Sequence, residues 1–293
     1  MTAAILARAL TQASTDTRRA GEAISACLAV RNEEAVIERC LRSLEGAVDE
    51  IVLVHDGNCE DATLDIAARH GCRVFVRPPL SPEHQRVFAY RQARGEWLLR
   101  IDADEFLSED LRANLRKVIK DPTANGHTFV WPMWDGKRYV TRSGAPRLAL
   151  FRRDRVHVLG LPESWESVDP PIRHWPYLIE HRPIYNNFTP AVIATKWRRR
   201  ALTHARSLVS DFAEIPKFNY LGPGDWSLRR RVVNRLSPLL VLPAAAARFA
   251  IALAQHRSHY TWRENVQFAA YEAIYAAMVQ AYVAKLLYLD RRT

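Results

Sequence analysis

The chain has 293 residues, a formal net charge of +10 and an isoelectric point near 9.7. That length allows one large domain with a smaller companion, and the cationic excess calls for an anionic partner: nucleotide phosphates, nucleic acid or acidic lipid headgroups. Cys27, Cys40, Cys59 and Cys72 are well separated, with no CxxC pair and no zinc-spaced cluster, so they read as reduced thiols and neither a disulfide framework nor a zinc centre is expected.

The opening "MTAAILARALTQASTDTRRAG" has no apolar run of signal-peptide length, and residues 1–22 read as a polar leader of a cytoplasmic chain. "AISACLAV" (23–30) is then a short apolar strand ending at "RNEE", followed by "AVIERCLRSLEG", whose apolar residues recur at helical spacing up to a glycine. "EIVLVHDGN" repeats the pattern, leading into the helix "CEDATLDIAARHG" closed by Gly71. "RVFVRPP" is a third strand stopped by two prolines, "EHQRVFAYRQARG" a helix and "EWLLRIDADE" a fourth strand.

Strands alternating with helices, each strand nearly continuously apolar, imply an α/β chain whose parallel sheet is covered on both faces. Ligands of such sheets bind beyond the carboxyl ends of the strands, so "RNEE", "HDGN" and "DADE" should line one crevice. From about residue 125 the pattern is strand-like and aromatic, in "HTFVWPMW", "KRYVTR" and "PRLALFRR", with a loop at "GLPESWESVDPP" (160–171). Beyond 190 the chain reads as helical. "NFT" (187–189) matches a glycosylation sequon, taken as coincidence in a cytoplasmic chain.

Asp102 and Asp104 flank Ala103 at a strand end. Mg2+ or Mn2+ takes hard oxygen ligands, commonly one or two carboxylates completed by substrate phosphate. The alternative is a polar exit to solvent, and position after a strand, in line with two other polar strand ends, favours the metal. Asp56, followed by Gly57, can accept hydrogen bonds from a base or ribose, or else cap the next helix.

"ACLAVRNEEAVIERCLRSL", "VDEIVLVHDGNCEDATLDIA", "ARGEWLLRIDADE" and "RLALFRR" together resemble glycosyltransferase family 2 over roughly residues 24–190, and in particular the bacterial branch that adds sugars to lipopolysaccharide core and related surface glycans. The resemblance implies the GT-A fold, a Rossmann-like, mostly parallel sheet flanked by helices. It also implies a nucleotide-diphosphate sugar donor, with UDP-sugar favoured, a metal on the D-x-D, and inversion at the anomeric carbon. Carried onto this chain, Val30, Arg31 and Glu33 meet the nucleotide, Asp56 the base, and Asp102 and Asp104 form the D-x-D. The chain departs from the family's pattern at Asn58, where serine is usual, and at Val87, where an amide is usual.

Inverting transfer needs a general base. The resemblance points to the loop after "RLALFRR", where "GLPESWES" has Pro162 in place of the expected histidine, making Glu163 the first choice and Glu166 the second. His181 falls where a late histidine meets metal or diphosphate in many GT-A enzymes. Arg147, Arg152 and Arg153 are candidates to neutralise diphosphate oxygens.

These readings divide the chain into a GT-A catalytic domain (23–190) and a helical, basic extension (191–293). In the extension, "KWRRR" (196–200) and "LRRRVVNR" (228–235) concentrate charge outside the expected catalytic region, and "LSPLLVLPAAAARFAIALA" (236–254) approaches spanning length. Pro238, Pro243 and Arg248 make spanning costly, so an interfacial or buried helix fits better. The expected partners are the donor, a glycan or lipid-linked acceptor, and the anionic inner face of the cell membrane. Nucleic acid is not expected, because no nucleic-acid motif accompanies the charge. A phosphatase would carry its D-x-D on the first strand, and a nucleotidyltransferase would need a glycine-rich loop where "RNEEAV" has none. A non-catalytic nucleotide-sugar or nucleic-acid binder is the alternative.

Overall fold

The computed structural model describes residues 22–132, 134, 137, 139, 146–184, 189–256 and 261–290. Nearly all of the leader, the sequon's Asn187 and most of the strand expected in "KRYVTR" lie outside those residues.

The first half follows the alternation expected of it: β1 (Ile24–Val30), α1 (Ile37–Leu44), β2 (Glu50–Asp56), α2 (Thr63–Arg69), β3 (Arg73–Arg77), α3 (Pro82–Gln92) and β4 (Trp97–Arg100). The fourth strand is shorter than "EWLLRIDADE" suggested. It stops at Arg100, turns through Asp102 to Asp104, and resumes as β5 (Glu105–Leu107), followed by α4 (Glu109–Val118). β6 (Gly126–Val130), β7 (Pro146–Arg152), β8 (Val156–Leu159), β9 (Ser167–Val168) and β10 (Ile172–His181) complete the middle of the chain.

Eight strands form one sheet in the order β3-β2-β1-β4-β7-β6-β10-β5. β1 to β4 are parallel, β7 runs antiparallel between β4 and β6, and β10 is parallel to β6. Side chains alternate faces along a strand, so the continuous apolar runs feed two cores. Leu28, Leu53 and Leu99 pack against α1, α2 and α4, while Cys27, Val52, Val54 and Leu98 pack against Val87, Ala89 and Tyr90 of α3.

The C-terminal part is less uniformly helical than its sequence suggests. A π-helical turn, Ile193–Trp197, leads into α5 (Arg198–Val209); a short β11 (Lys217–Phe218) then pairs with β8 before α6 (Leu228–Arg235), α7 (Ser237–His256) and α8 (Trp262–Ala284). β11 joins β8 and β9 in a second, antiparallel sheet. α5 and α8 close a third core over the 160–166 loop, with Leu161, Ala201, Ala205, Leu208, Tyr275 and Val279 buried together.

Candidate active site

Register alone gathers the first three motifs. Val30 lies opposite His55 and Asp56 opposite Arg77, so β1 and β2 end level with each other, and β4 reaches the same edge through Cys27 opposite Arg100. The turn after β1 is held by Asn32, whose φ of +52° is left-handed and whose backbone N–H donates to His55 Nε2 at 3.4 Å. His55, buried between the two strand ends, also meets the Gly57 carbonyl through Nδ1 at 2.8 Å. Val30 is buried in the core at the end of β1.

Asp56 organises the wall beside it. One carboxylate oxygen accepts from the Leu80 N–H at 2.7 Å and from Gln85 Nε2 at 2.6 Å, and the other stands 3.9 Å from the exposed Arg31 guanidinium. The α2 capping reading does not apply to it, since Asp61 accepts from the Thr63 N–H at the start of that helix.

The D-x-D turn is built from three sides. The Asp102 N–H donates to Glu105 Oε2 at 2.9 Å, which tightens the turn. Glu105 is buried, accepts from Trp131 Nε1 at 2.7 Å, and pairs with Arg147. Arg147 reaches Asp102 Oδ2 at 3.3 Å while Arg86 stands 3.6 Å from Oδ1. Burial would raise the Asp102 pKa, but Arg147, Arg86 and Arg100 outweigh it and hold the carboxyl well below its ordinary range. Burial and the neighbouring Arg100 push Arg147 down to about 10, which leaves it cationic at neutral pH.

Asp104 is reached differently. β5 pairs antiparallel with β10, setting Glu105 opposite His181, and the Arg182 N–H donates to the Asp104 carbonyl at 2.9 Å. His181 Nε2 then lies 3.4 Å from Asp104 Oδ2, with its ring stacked on Trp131 at 4.6 Å. Glu33 feels both aspartates: burial first, then Asp104 and Asp102, push its pKa up to about 7, against the pull of Lys196. Acid is therefore concentrated where a divalent cation would be welcome. Asp104 supplies the hard carboxylate oxygen that suits Mg2+ or Mn2+, with the softer His181 imidazole beside it, and both oxygens of Asp102 already face arginines. Among the described residues no three acidic, histidine or cysteine side chains converge closely enough to hold a metal by themselves, so further ligands would come from phosphate and water.

The two glutamates of the 160–166 loop have opposite surroundings. Glu166 is buried, accepting from Tyr90 at 2.7 Å and Arg100 at 2.5 Å, with Arg86 3.8 Å away. Burial opposes its charge, but Arg100 and Arg86 keep it ionised with its pKa lowered. Glu163 is partly open to solvent, has a left-handed φ of +63°, and pairs with Arg200 of α5 at 2.6 Å. Arg200 also bonds the buried Glu83 of α3 at 2.8 Å. Between the two glutamates, Trp165 stands 62% exposed over the Arg100 guanidinium.

Two expectations need correction. Arg152 pairs with Trp97 at the entry end of β4, whereas Arg147 is near the exit end. β7 is antiparallel to β4, so five residues carry the chain about 16 Å along the strand to the far edge of the sheet, away from the crevice; Arg153, next in sequence, bonds Glu96 there. "KWRRR" is not outside the catalytic region, because Lys196 acts on Glu33 and Arg200 reaches Glu163 and Glu83.

The sequence reading overlooked Arg100, Tyr90, Glu105 and Trp131. Arg100 did carry a signal, a charge closing an apolar strand, and Glu105 sat in plain view beside the D-x-D.

An α/β sheet of this order, with a cation-braced D-x-D at its carboxyl edge and helices appended, is the GT-A arrangement. Residues 25–167, just under half of the chain, match the family model described as Glycosyl transferase family 2. A glycosyltransferase of Rickettsia felis, otherwise uncharacterized, is 38% identical over 97 residues, which is 33% of this chain and 34% of that protein. The lipopolysaccharide core biosynthesis glycosyltransferase LpsC of Rhizobium meliloti is 33% identical over 100 residues, covering 33% of this chain and 37% of its own. The matched part thus spans about a third of the length of these curated relatives. Among solved structures, glucosyl-3-phosphoglycerate synthase of Mycobacterium tuberculosis, crystallised with Mn2+, UDP and glucosyl-3-phosphoglycerate, is 19% identical, covers 46% of this chain and 58% of that one, and has a TM-score of 0.35.

Proposed function

We propose that this chain moves a sugar, with inversion, from a nucleotide-diphosphate donor to a glycan or lipid-linked acceptor of the cell envelope, working in the cytoplasm at the inner face of the cell membrane. UDP-sugar is the favoured donor. The observation that carries this reading is the convergence of Arg31 and Glu33, Asp56, and the Asp102–Asp104 turn on one crevice within a family 2 segment.

Arg31 and Asp56 receive the nucleoside, and the Gly57 turn lets it approach the backbone closely. Asp104 and His181, with Asp102 beside them, would hold Mg2+ or Mn2+, whose charge would offset that of the donor diphosphate. Arg147 and Arg86 stay fixed by Glu105, Glu166 and Asp102, so they stand ready where negative charge grows on the leaving diphosphate and need not reorganise. The acceptor hydroxyl oxygen forms its bond to the anomeric carbon as the bond from that carbon to the diphosphate oxygen breaks. Glu163 takes the hydroxyl proton, and the nucleoside diphosphate departs with the electron pair. Glu163 is preferred to Glu166 because its side chain, though paired with Arg200, is open to solvent, whereas Glu166 is buried and braces Arg86 and Arg100.

Calorimetric titration of UDP into the full chain, with and without Mn2+, and again on Asp104→Ala, tests the reading. Binding that needs both the metal and Asp104 supports it. Failure of UDP and of the other nucleoside diphosphates to bind under any of these conditions would remove it.

A further inference from the structure

In a helix of a soluble protein the face turned to solvent is polar and the face turned inward apolar. α7 inverts that rule. Every residue exposed between positions 238 and 254 is apolar, and these recur at helical spacing, as in Leu239, Leu242, Pro243, Ala247, Ile251 and Ala254. Its one charged side chain, Arg248, instead turns to α8 and bonds Glu272 at 2.7 Å. Ser237–Gln255 is long and apolar enough to cross a membrane, yet only 11% of it is buried in the protein. Leu239 and Leu242 are 73% and 79% exposed.

The surroundings name the occupant. α8 buries Tyr275, Val279 and Val283 against α5, so α7 is the outermost layer, packed on one side and open on the other. Directly before it, α6 exposes Leu228 and Val232 one turn apart, with Leu236 continuing the stripe and Arg229, Arg231 and Arg235 exposed among them. Just after the connection to α8, Trp262 is 76% exposed. An apolar face bordered by arginines and an exposed tryptophan matches the boundary between anionic headgroups and acyl chains. A second copy of the chain would bring a second set of the same arginines to that face.

We propose that α6 and α7 form a membrane-docking surface that lies in the interface of an anionic bilayer, α7 embedding its open face without spanning. One-sided packing decides between the two modes, because a spanning helix would have to surrender its contacts with α8, including the ion pair that neutralises Arg248. The proposal deepens the reading above by naming the surface that brings the crevice to a lipid-borne acceptor, and it is measured without nucleotide, so the two fail separately.

The test is flotation of the full chain with phosphatidylcholine vesicles and with phosphatidylcholine–phosphatidylglycerol vesicles at low and high salt. The expected result is at least tenfold greater partition onto the anionic vesicles at low salt and release by alkaline carbonate. L239E/L242E should lose the binding at both salt levels, while R229S/R231S/R235S should lose mainly the salt-sensitive part; circular dichroism and melting temperature of each variant check folding. A chain left in the supernatant with anionic vesicles at low salt overturns the proposal. So does retention after carbonate, which would mean spanning, or a dimer in mass photometry that L239E/L242E dissolves, which would mean that a second copy covers the face.

Discussion

Arg100 donates to Glu166 at 2.5 Å inside the protein, three residues along the loop from a glutamate that remains open to solvent. This divides the labour of the 160–166 loop. Removing the Glu166 carboxylate takes the ion-pair partner from the buried Arg100 and leaves Arg86 with Asp102 alone, so Glu166→Ala should cost about 3 kcal/mol in urea unfolding. Glu163→Gln, at a partly exposed pair, should cost less than about 1 kcal/mol yet lower transfer by roughly 10²–10⁴-fold with UDP affinity retained. Equal losses of stability in the two variants would contradict the assignment.

Arg200 ties the C-terminal helices to α3 and to the 160–166 loop. Glu83 is buried and one of its oxygens has no partner among the described residues, so Arg200→Met takes away the cation paired with the other. The variant should be destabilised by about 3 kcal/mol, and adding Glu83→Gln should recover part of that. Chemical denaturation of the two variants reads this directly, and no recovery in the double variant would mean that Arg200 acts only by packing.

Asp104 is the D-x-D carboxylate not engaged by arginine. Asp104→Asn should weaken Mn2+-supported UDP binding by at least about tenfold, ~1.4 kcal/mol, while UDP binding without metal changes little. Calorimetry showing an unaltered metal requirement would move the cation elsewhere.

His127 makes stability depend on pH. Burial holds its pKa down to about 4, and its Nδ1 accepts from Trp175 Nε1 at 3.1 Å, a bond that the neutral ring alone can make. The unfolded chain binds the proton near pH 6.5, so between 6.5 and 4 the unfolded state holds more protons and stability falls as the solution is acidified. The contribution is at most ~3 kcal/mol, fully present above pH 6.5. His127→Gln should flatten urea midpoints measured from pH 4.5 to 7.5, and an unchanged slope would place the sensitivity in another group, such as His204, which burial also holds near 4.

The sequence by itself determined the sheet-forming half of the molecule to a large degree. Strands buried on both faces must be apolar throughout, and a parallel sheet must expose its ligand at the carboxyl ends, so "RNEE", "HDGN" and "DADE" came to one edge by backbone register alone. His181 followed for a related reason, since β10 has only to pair with β5 for it to meet the D-x-D.

Tertiary structure decided what depends on long-range packing. Direction along an antiparallel strand sent Arg147 to the crevice and Arg152 to the far edge, although both stand in one short motif. Burial separated Glu166 from Glu163, because two arginines from β4 and α3 lie under one and solvent lies over the other. "KWRRR" looked like a detached basic cluster until α5 packed over the loop and turned Arg200 inward. The apolar run 236–254 was ambiguous between core and membrane, since hydrophobic composition is the same for both. Only the packing of α8 against α5 showed which face of α7 was left open.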